Sequence, residues 1–309
     1  MSSLAPIILF VYNRPLHTRK CLDALQKNEL ANESELFIYA DGPKENPSYD
    51  QLQKIKEVRK LIIEKKWCKE VHIIESEKNK GLVNSVIDGV TEIVNKFGKI
   101  IVLEDDLVTS PFFLKFMNEG LEFYKDISEV ISVHAYVYPV KRKLPDTFFL
   151  RGADCWGWAT WKRGWELFEE DGKKLLKNIF LRNLEKDFDF NNSYPFIQML
   201  IDQNDGKNNS WAIKWYASAF LNNKFTLYPG ISFVQNIGND NSGTHIGNSN
   251  KFTIKKLNNE SKIKFINIVE ENRIARKAIG DFFYCIEHPN IMDRVAYKLS
   301  SLVRSKKKL

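Results

Sequence analysis

The sequence predicts an α/β fold with a mostly parallel central sheet, and three observations carry that expectation. Short apolar runs alternate with longer amphipathic stretches through the first 140 residues, which is the pattern of successive βα units. All but the last of those runs end in polar residues, placed as loop residues at one edge of a sheet would be. The chain has 309 residues, 43% of them apolar and 28% charged, enough to bury a substantial core under a soluble surface.

The elements follow in order. Candidate strands are "PIILFVY" (6–12), "ELFIYA" (35–40), "VHIIES" (71–76), "KIIVLE" (99–104) and "EVISVHAY" (129–136). Helical periodicity fills about 15–26, 49–66, 82–97 and 111–125 between and after them. The first four strands run into Asn13 and Arg14, Asp41 and Gly42, Glu77 to Gly81, and Glu104 to Asp106. In an open α/β sheet these carboxyl ends border one crevice, where ligands bind. Beyond residue 140 the alternation stops. Aromatics crowd "CWGWATWKRGW" (155–165), and "SWAIKWYASAFLNNKFTLYPG" (210–230) reads as a helix followed by a strand. With no Pro-, Gly- or Ser-rich linker between them, residues 141–250 are expected to pack on the same sheet as 1–140. Residues 251–309 are expected to form a helical, basic tail.

The net charge of +7 is concentrated at one end. Arg294, Lys298, Arg304, Lys306, Lys307 and Lys308 against Asp293 supply +5 of it, which leaves the body nearly balanced. That distribution speaks against a nucleic-acid face on the body. "MDRVAYKLSSLVRSKKKL" suits either peripheral contact with an anionic membrane or a solvated tail. Four dispersed cysteines form no CxxC pair, and the apolar run from Ala5 to Tyr12 is too short to span a bilayer. The expected location is the cytoplasm, including the inner face of its membrane.

Several stretches carry chemistry. Glu104, Asp105 and Asp106 close a buried strand with three hard oxygen donors, as a divalent cation requires. The same triplet also reads as a polar strand end before a helix opened by Pro111 and capped by Thr109 or Ser110. "VYNRP" and "YADGP" are ordinary turn sequences taken singly, and together they offer Asp41, Asn13 and the backbone near Val11 to a nucleobase. Lys80 and Gly81 precede a helix and offer a charge and a helix N-terminus to a diphosphate, or simply start the helix. Neither GxGxxG nor GxxxxGK[ST] is present. Trp156 and Trp158 suit a sugar-stacking surface or the core equally, whereas Trp161 and Trp165, at helical spacing, suit the core. His245, in the small polar loop "NIGNDNSGTHIG", is positioned to swing toward a metal or phosphate or to remain solvated.

Taken together, "ILFVYNRP", "ADGP", "NKGLVNSV" and "VLEDDLVTSPFFLKFMNEGLEFY" resemble the nucleotide-sugar domain of GT-A glycosyltransferases. The similarity is greatest to the family 2-like bacterial enzymes of surface polysaccharide assembly, with a distant likeness to the N-acetylglucosaminyltransferase I group. "CWGWATWKRGW" and "SWAIKWYASAFLNNKFTLYPGISFVQNIGNDNSGTH" resemble acceptor-side segments of the bacterial family, so the likeness spans roughly 5–247.

The resemblance implies a GT-A, Rossmann-like sheet with a nucleotide-sugar half over 1–140 and an acceptor-binding half over 141–250. It implies a metal-dependent, inverting transferase that moves a sugar from a donor, expected to be UDP-linked, to a glycan or lipid-linked glycan. Val11, Asn13, Arg14 and Asp41 would hold the nucleoside; Lys80 and Gly81 would lie by the ribose or diphosphate; Glu104 and Asp105 would complete the donor site. Asp106 would bind Mn²⁺ or Mg²⁺ with His245 as second ligand, and Trp156, Gly157 and Trp158 would face the acceptor. A catalytic acid is expected just before the "SWAIKW" helix, but Asn208 and Asn209 stand there. Asp205 is then the first candidate for the base and Asp154 the second. Two alternatives share such a fold: a nucleotidyltransferase that makes the sugar nucleotide, and a non-catalytic glycan-binding or assembly protein.

Overall fold

The strand "IILFV" is buried at every position, and its side chains divide between two cores. Ile7, Leu9 and Val11 join one apolar cluster, and Ile8 and Phe10 join the other. A strand covered on both faces needs no polar alternation, which is why this run is continuously apolar. The computed structural model describes residues 3–240 and 250–290.

In chain order the elements are β1 (Ile7–Val11), α1 (Pro15–Gln26), β2 (Glu35–Ala40), α2 (Tyr49–Ile62), β3 (Glu70–Glu75), α3 (Leu82–Phe97), β4 (Lys99–Glu104), β5 (Leu107–Thr109) and α4 (Phe113–Phe123). There follow β6 (Val130–His134), β7 (Thr147–Arg151), β8 (Trp158–Trp161), α5 (Lys162–Trp165), α6 (Gly172–Leu181), α7 (Glu185–Phe188) and α8 (Phe196–Asn204). Last come α9 (Trp211–Leu221), β9 (Phe225–Pro229), β10 (Val234–Asn236) and α10 (Arg273–Glu287).

The eight-stranded sheet has the order β3-β2-β1-β4-β8-β6-β9-β7. Neighbours run parallel from β3 through β4 and again between β6 and β9, while β8 is antiparallel to both its neighbours and β7 to β9. The expected mostly parallel α/β sheet is therefore present, and it runs unbroken across residues 1–140 and 141–250. One face packs on α1, α2 and α4, the other on α3, α5 and α9.

The first four strands and their helices lie within a few residues of the expected bounds. The helix expected from 111 begins at Phe113, and its N-cap residue, Phe112, offers no side-chain bond. Of the two expected caps, Thr109 makes no bond to it, whereas the Ser110 hydroxyl accepts the Phe112 N–H at 3.4 Å just before the helix. The Asn28 side chain, 86 residues away, accepts the Leu114 N–H at 2.9 Å, a tertiary cap invisible to local sequence. "WATW" forms β8, a strand between β4 and β6, where only an aromatic cluster was expected. In the expected helical tail, residues 250–272 are irregular and only α10 is helical among the described residues.

Candidate functional site

A cleft of about 380 Å³ opens at the carboxyl ends of β1, β2 and β4, and among its lining residues are Val11, Tyr12, Asn13, Arg14, Asp41, Asn79, Gly81, Glu104, Asp105, Asp106 and Trp156. Its size lies within the range of about 300–1,000 Å³ usual for small-molecule sites. Parallel pairing puts these strand ends side by side: Val11 opposite Ala40, and Phe10 opposite Glu104. The four polar strand ends therefore meet in one place.

At one end of the cleft Asp41 fastens two loops together. One of its oxygens accepts the backbone N–H groups of Gly42 and Lys80, each at 2.8 Å. The other accepts the Gly81 N–H at 3.0 Å and the Asn79 side-chain amide at 2.9 Å. Four donors on a buried carboxylate make a strong, rigid joint. Gly81 sits at φ +76°, a conformation that disfavours any side chain bearing a Cβ, and this lets its N–H turn toward Asp41. Asp41 thus spends its lone pairs on the wall of the cleft, where the sequence suggested a direct reader of a base. Two side chains of the cleft wall are left over: the Tyr12 hydroxyl, at this end, and the Asn239 amide nitrogen are buried without a hydrogen-bond partner. Burial, and the nearby Asp41 charge, push the Tyr12 pKa up, so it stays a proton donor.

At the other end stand the three acids. Arg14, the N-cap residue of α1, pairs with Asp105 and reaches Asp106 at 3.1 Å. Burial opposes the charge of the Arg14 guanidinium, yet Asp105 and Asp106 outweigh it and hold the pKa above its ordinary value. Burial pushes the Asp105 carboxyl up against the pull of Arg14. Burial and the charge of Asp106 push Glu104 up. Among the described residues the Glu104 carboxylate has neither a hydrogen bond nor an ion pair. Three carboxylates therefore share one cation, and the cluster is short of positive charge. β10 pairs with β5 and lays residues 236–239 over this end, where the Ile237 N–H bonds the Asp106 carbonyl at 2.9 Å. A Cβ on Gly238 would lie 2.3 Å from an Asp106 carboxylate oxygen, so only glycine allows that approach.

The donor chemistry fits a hard divalent cation: oxygen ligands on a fixed strand end, open to the cleft and deficient in positive charge. Among the described residues, Glu104, Asp105 and Asp106 do not bring their ligand atoms within 4.8 Å of one another; the three that do are instead Glu35, Glu70 and His72. They lie near the amino ends of β2 and β3, away from the cleft.

The other sequence-selected residues divide. Trp156 lines the cleft, with its backbone N–H donating to Nε2 of buried His134 at 3.1 Å. Burial lowers the His134 pKa, which keeps the ring neutral and able to accept. Trp158 is fully buried, with ring centroids 5.6 Å from both Trp211 and Trp215 and 5.7 Å from Trp165. It belongs to the core and offers no surface to an acceptor, because its β8 position points it under α9. Gly157 is buried beside Val234 and Phe113 and likewise presents no acceptor surface. Trp161 and Trp165 are core residues, as their spacing suggested. The side chain of Lys80 turns outward to Asp88 at 3.3 Å and is not part of the cleft wall.

Of the two candidate bases, Asp205 is the C-cap of α8, outside the cleft and paired with Lys207 at 3.0 Å. Asp154 lies two residues before Trp156, accepting hydrogen bonds from Tyr138 at 2.8 Å and Tyr228 at 3.4 Å. Asn209, one of the residues standing where an acid was expected, lines the cleft. His245 and the basic tail lie outside the described residues. Tyr12, Asn79, Asn236 and Asn239 were missed as wall residues. The one signal for them was their position inside stretches already singled out, since each is a common loop residue.

No protein-family model matches the chain, and no curated protein matches it in sequence. Among solved structures, S. aureus TarS residues 1–349 is similar at 14% identity and a TM-score of 0.29, over 48% of this chain and 41% of that one. Another S. aureus TarS structure is similar at 15% identity and a TM-score of 0.28, over 48% of this chain and 25% of that one. UDP-glucose pyrophosphorylase complexed with UDP-glucose is similar at 14% identity and a TM-score of 0.35, over 73% and 90%. The matched region thus spans less than half the length of either TarS structure. Among the described residues no helix is long and apolar enough to cross a membrane.

Proposed function

We propose that the chain is a glycosyltransferase that moves a sugar from a nucleoside diphosphate donor to a glycan hydroxyl with inversion. The observation that carries this reading is one cleft with two unlike ends. A rigid wall with the unpartnered Tyr12 hydroxyl suits a nucleoside, and an acid cluster short of positive charge suits a cation with a diphosphate.

Asp106, Asp105 and Glu104 are the residues that would hold Mn²⁺ or Mg²⁺. When bound there, such a cation supplies positive charge to the oxygens of a departing diphosphate. Arg14, fixed between Asp105 and Asp106, adds a permanent charge at the same place and keeps the carboxylates oriented. The nucleoside lies toward Asn13, Tyr12 and Asp41, with Tyr12 donating to a polar atom of the base. Trp156, held through His134, offers its face to the acceptor sugar.

In transfer, the anomeric C–O bond to the diphosphate breaks as the acceptor oxygen bonds to the same carbon from the opposite face. The acceptor proton passes to a carboxylate. Asp154 is our assignment for that base, because its loop runs directly into the cleft at Trp156 and Asp205 stands outside it. A nucleotidyltransferase of similar architecture would bring a glycine-rich loop after β1, but Tyr12, Asn13, Arg14 and Pro15 follow it here. An assay with nucleotide-sugar donors should yield a product of inverted anomeric configuration. Asp154→Asn should lower kcat by about 10²–10⁴-fold, with Asp205→Asn close to the parent. Loss of turnover in Asp205→Asn alone would reverse the assignment. Nucleotide binding without any transfer would favour the non-catalytic alternative.

A further inference from the structure

We propose that the outward face of α6, with the adjoining edge of α8, is a docking surface for an anionic membrane. The helix turns Leu175 and Ile179 into the core. At 100° per residue, Lys173, Lys177, Phe180 and Leu181 then share the opposite sector. Phe180 is 44% and Leu181 69% exposed. With Leu176 and Ile201 they line a shallow hollow of about 490 Å³ bordered by Lys173 and Lys177. Scattered exposed leucines need no explanation, but this patch is contiguous and framed by cations.

Those two lysines are distinguished from their neighbours by their lack of a partner. Lys174 pairs with Glu169, and Lys207 pairs with Asp205 at the rim. Lys173 and Lys177 form no ion pair among the described residues.

Charge selects the occupant. The segment 291–309 carries six basic residues against one acid and would be repelled by these lysines. A second copy would have to bring acids to Lys173 and Lys177, and the acid in this lining, Asp205, is already paired with Lys207. An anionic bilayer complements both features, because basic groups sit at the headgroups while Phe and Leu side chains enter the boundary beneath. The surface also lies close to the cleft, since Asn209 in the cleft wall is only four positions beyond Asp205 at its rim. The span is at most about 14 Å of chain, so docking here would hold the cleft near the bilayer. The inference stands independently of any nucleotide reading.

The test is co-sedimentation of the full chain with vesicles of phosphatidylcholine alone and of phosphatidylcholine mixed with phosphatidylglycerol. The parent should partition onto the mixed vesicles and release as salt rises. Phe180→Ser with Leu181→Ser should lower the partition coefficient roughly tenfold or more. Lys173→Gln with Lys177→Gln should lower it roughly thirtyfold, and neither pair should shift the Tm, since all four side chains point outward. Absence of parental binding, equal binding to both vesicle types, or unchanged binding of both double variants would each overturn the proposal. The last result would assign any membrane contact to another segment.

Discussion

The two halves of the sheet leave polar groups unpaired in different surroundings. From β6 to β9 Asp154 holds Tyr138 and Tyr228, and Ser132 bonds Thr226 at 2.5 Å, while His134 Nδ1 and the indole nitrogens of Trp158 and Trp215 are buried without a partner inside the packed core. At the carboxyl ends of β1 to β4 the leftover groups border the cleft: the Tyr12 hydroxyl, the Asn239 amide and the half-buried Glu104 carboxylate. Buried groups without partners are costly, and natural proteins keep few of them. Where they cluster in a cleft, the missing partner is most simply a ligand. The difference teaches where to look for binding: a leftover group walled in by packed rings is scaffold, and one that borders a cleft is open to a ligand.

The comparison is tested hardest in the scaffold. Trp158→Ala should destabilise the fold by about 3–5 kcal/mol, because it empties the centre of a cluster of four tryptophans. Trp156→Ala, in the cleft, should cost much less in denaturant melts and instead raise the KM for the acceptor. Equal stability losses would erase the distinction between the two tryptophans.

Asp41 comes next. Asp41→Ala leaves four donors without their acceptor and should cost about 2–3 kcal/mol, loosening the β3–α3 connection and weakening nucleotide binding with it. A variant of parental stability that had merely lost base preference would restore the base-reading role suggested by the sequence.

The smallest effect has the opposite sign. Glu104 has a raised pKa in the folded state, so the fold binds more protons than the unfolded chain above the ordinary carboxylate range. Its contribution is present below the unfolded pKa and lost as pH rises through the folded one. Glu104→Gln should therefore raise the stability of the metal-free protein at pH 8 by about 1 kcal/mol and leave it nearly unchanged at pH 4. A Tm that falls at pH 8 would contradict the charge deficit.

The same contrast explains what the sequence disclosed. The first four strands were legible because each is a continuous apolar run ended by polar residues, and parallel pairing then forces those ends together. Asp105 and Asp106 could be located that way from local pattern alone. The second half resisted because β8 enters the sheet antiparallel between β4 and β6, and nothing local to "WATW" distinguishes a central strand from an aromatic cluster. Trp158 could not be separated from Trp156 for that reason. Three of the four bonds of Asp41 and the capping of α4 by Asn28 depend on partners far along the chain, which residue identity does not specify. Asp205 lies outside the cleft, since proximity in sequence to α9 was no guide to where the fold would put its carboxylate.

The central claim is that the leftover polar groups of the first half await a nucleoside diphosphate and a divalent cation. Calorimetric titration of UDP and GDP, with and without Mn²⁺, into the parent and Asp106→Ala measures it directly. The account predicts binding that is strengthened by Mn²⁺ in the parent and loses that dependence in Asp106→Ala. Failure of every nucleoside diphosphate to bind the folded parent, or a Mn²⁺ effect that survives the substitution intact, would contradict it.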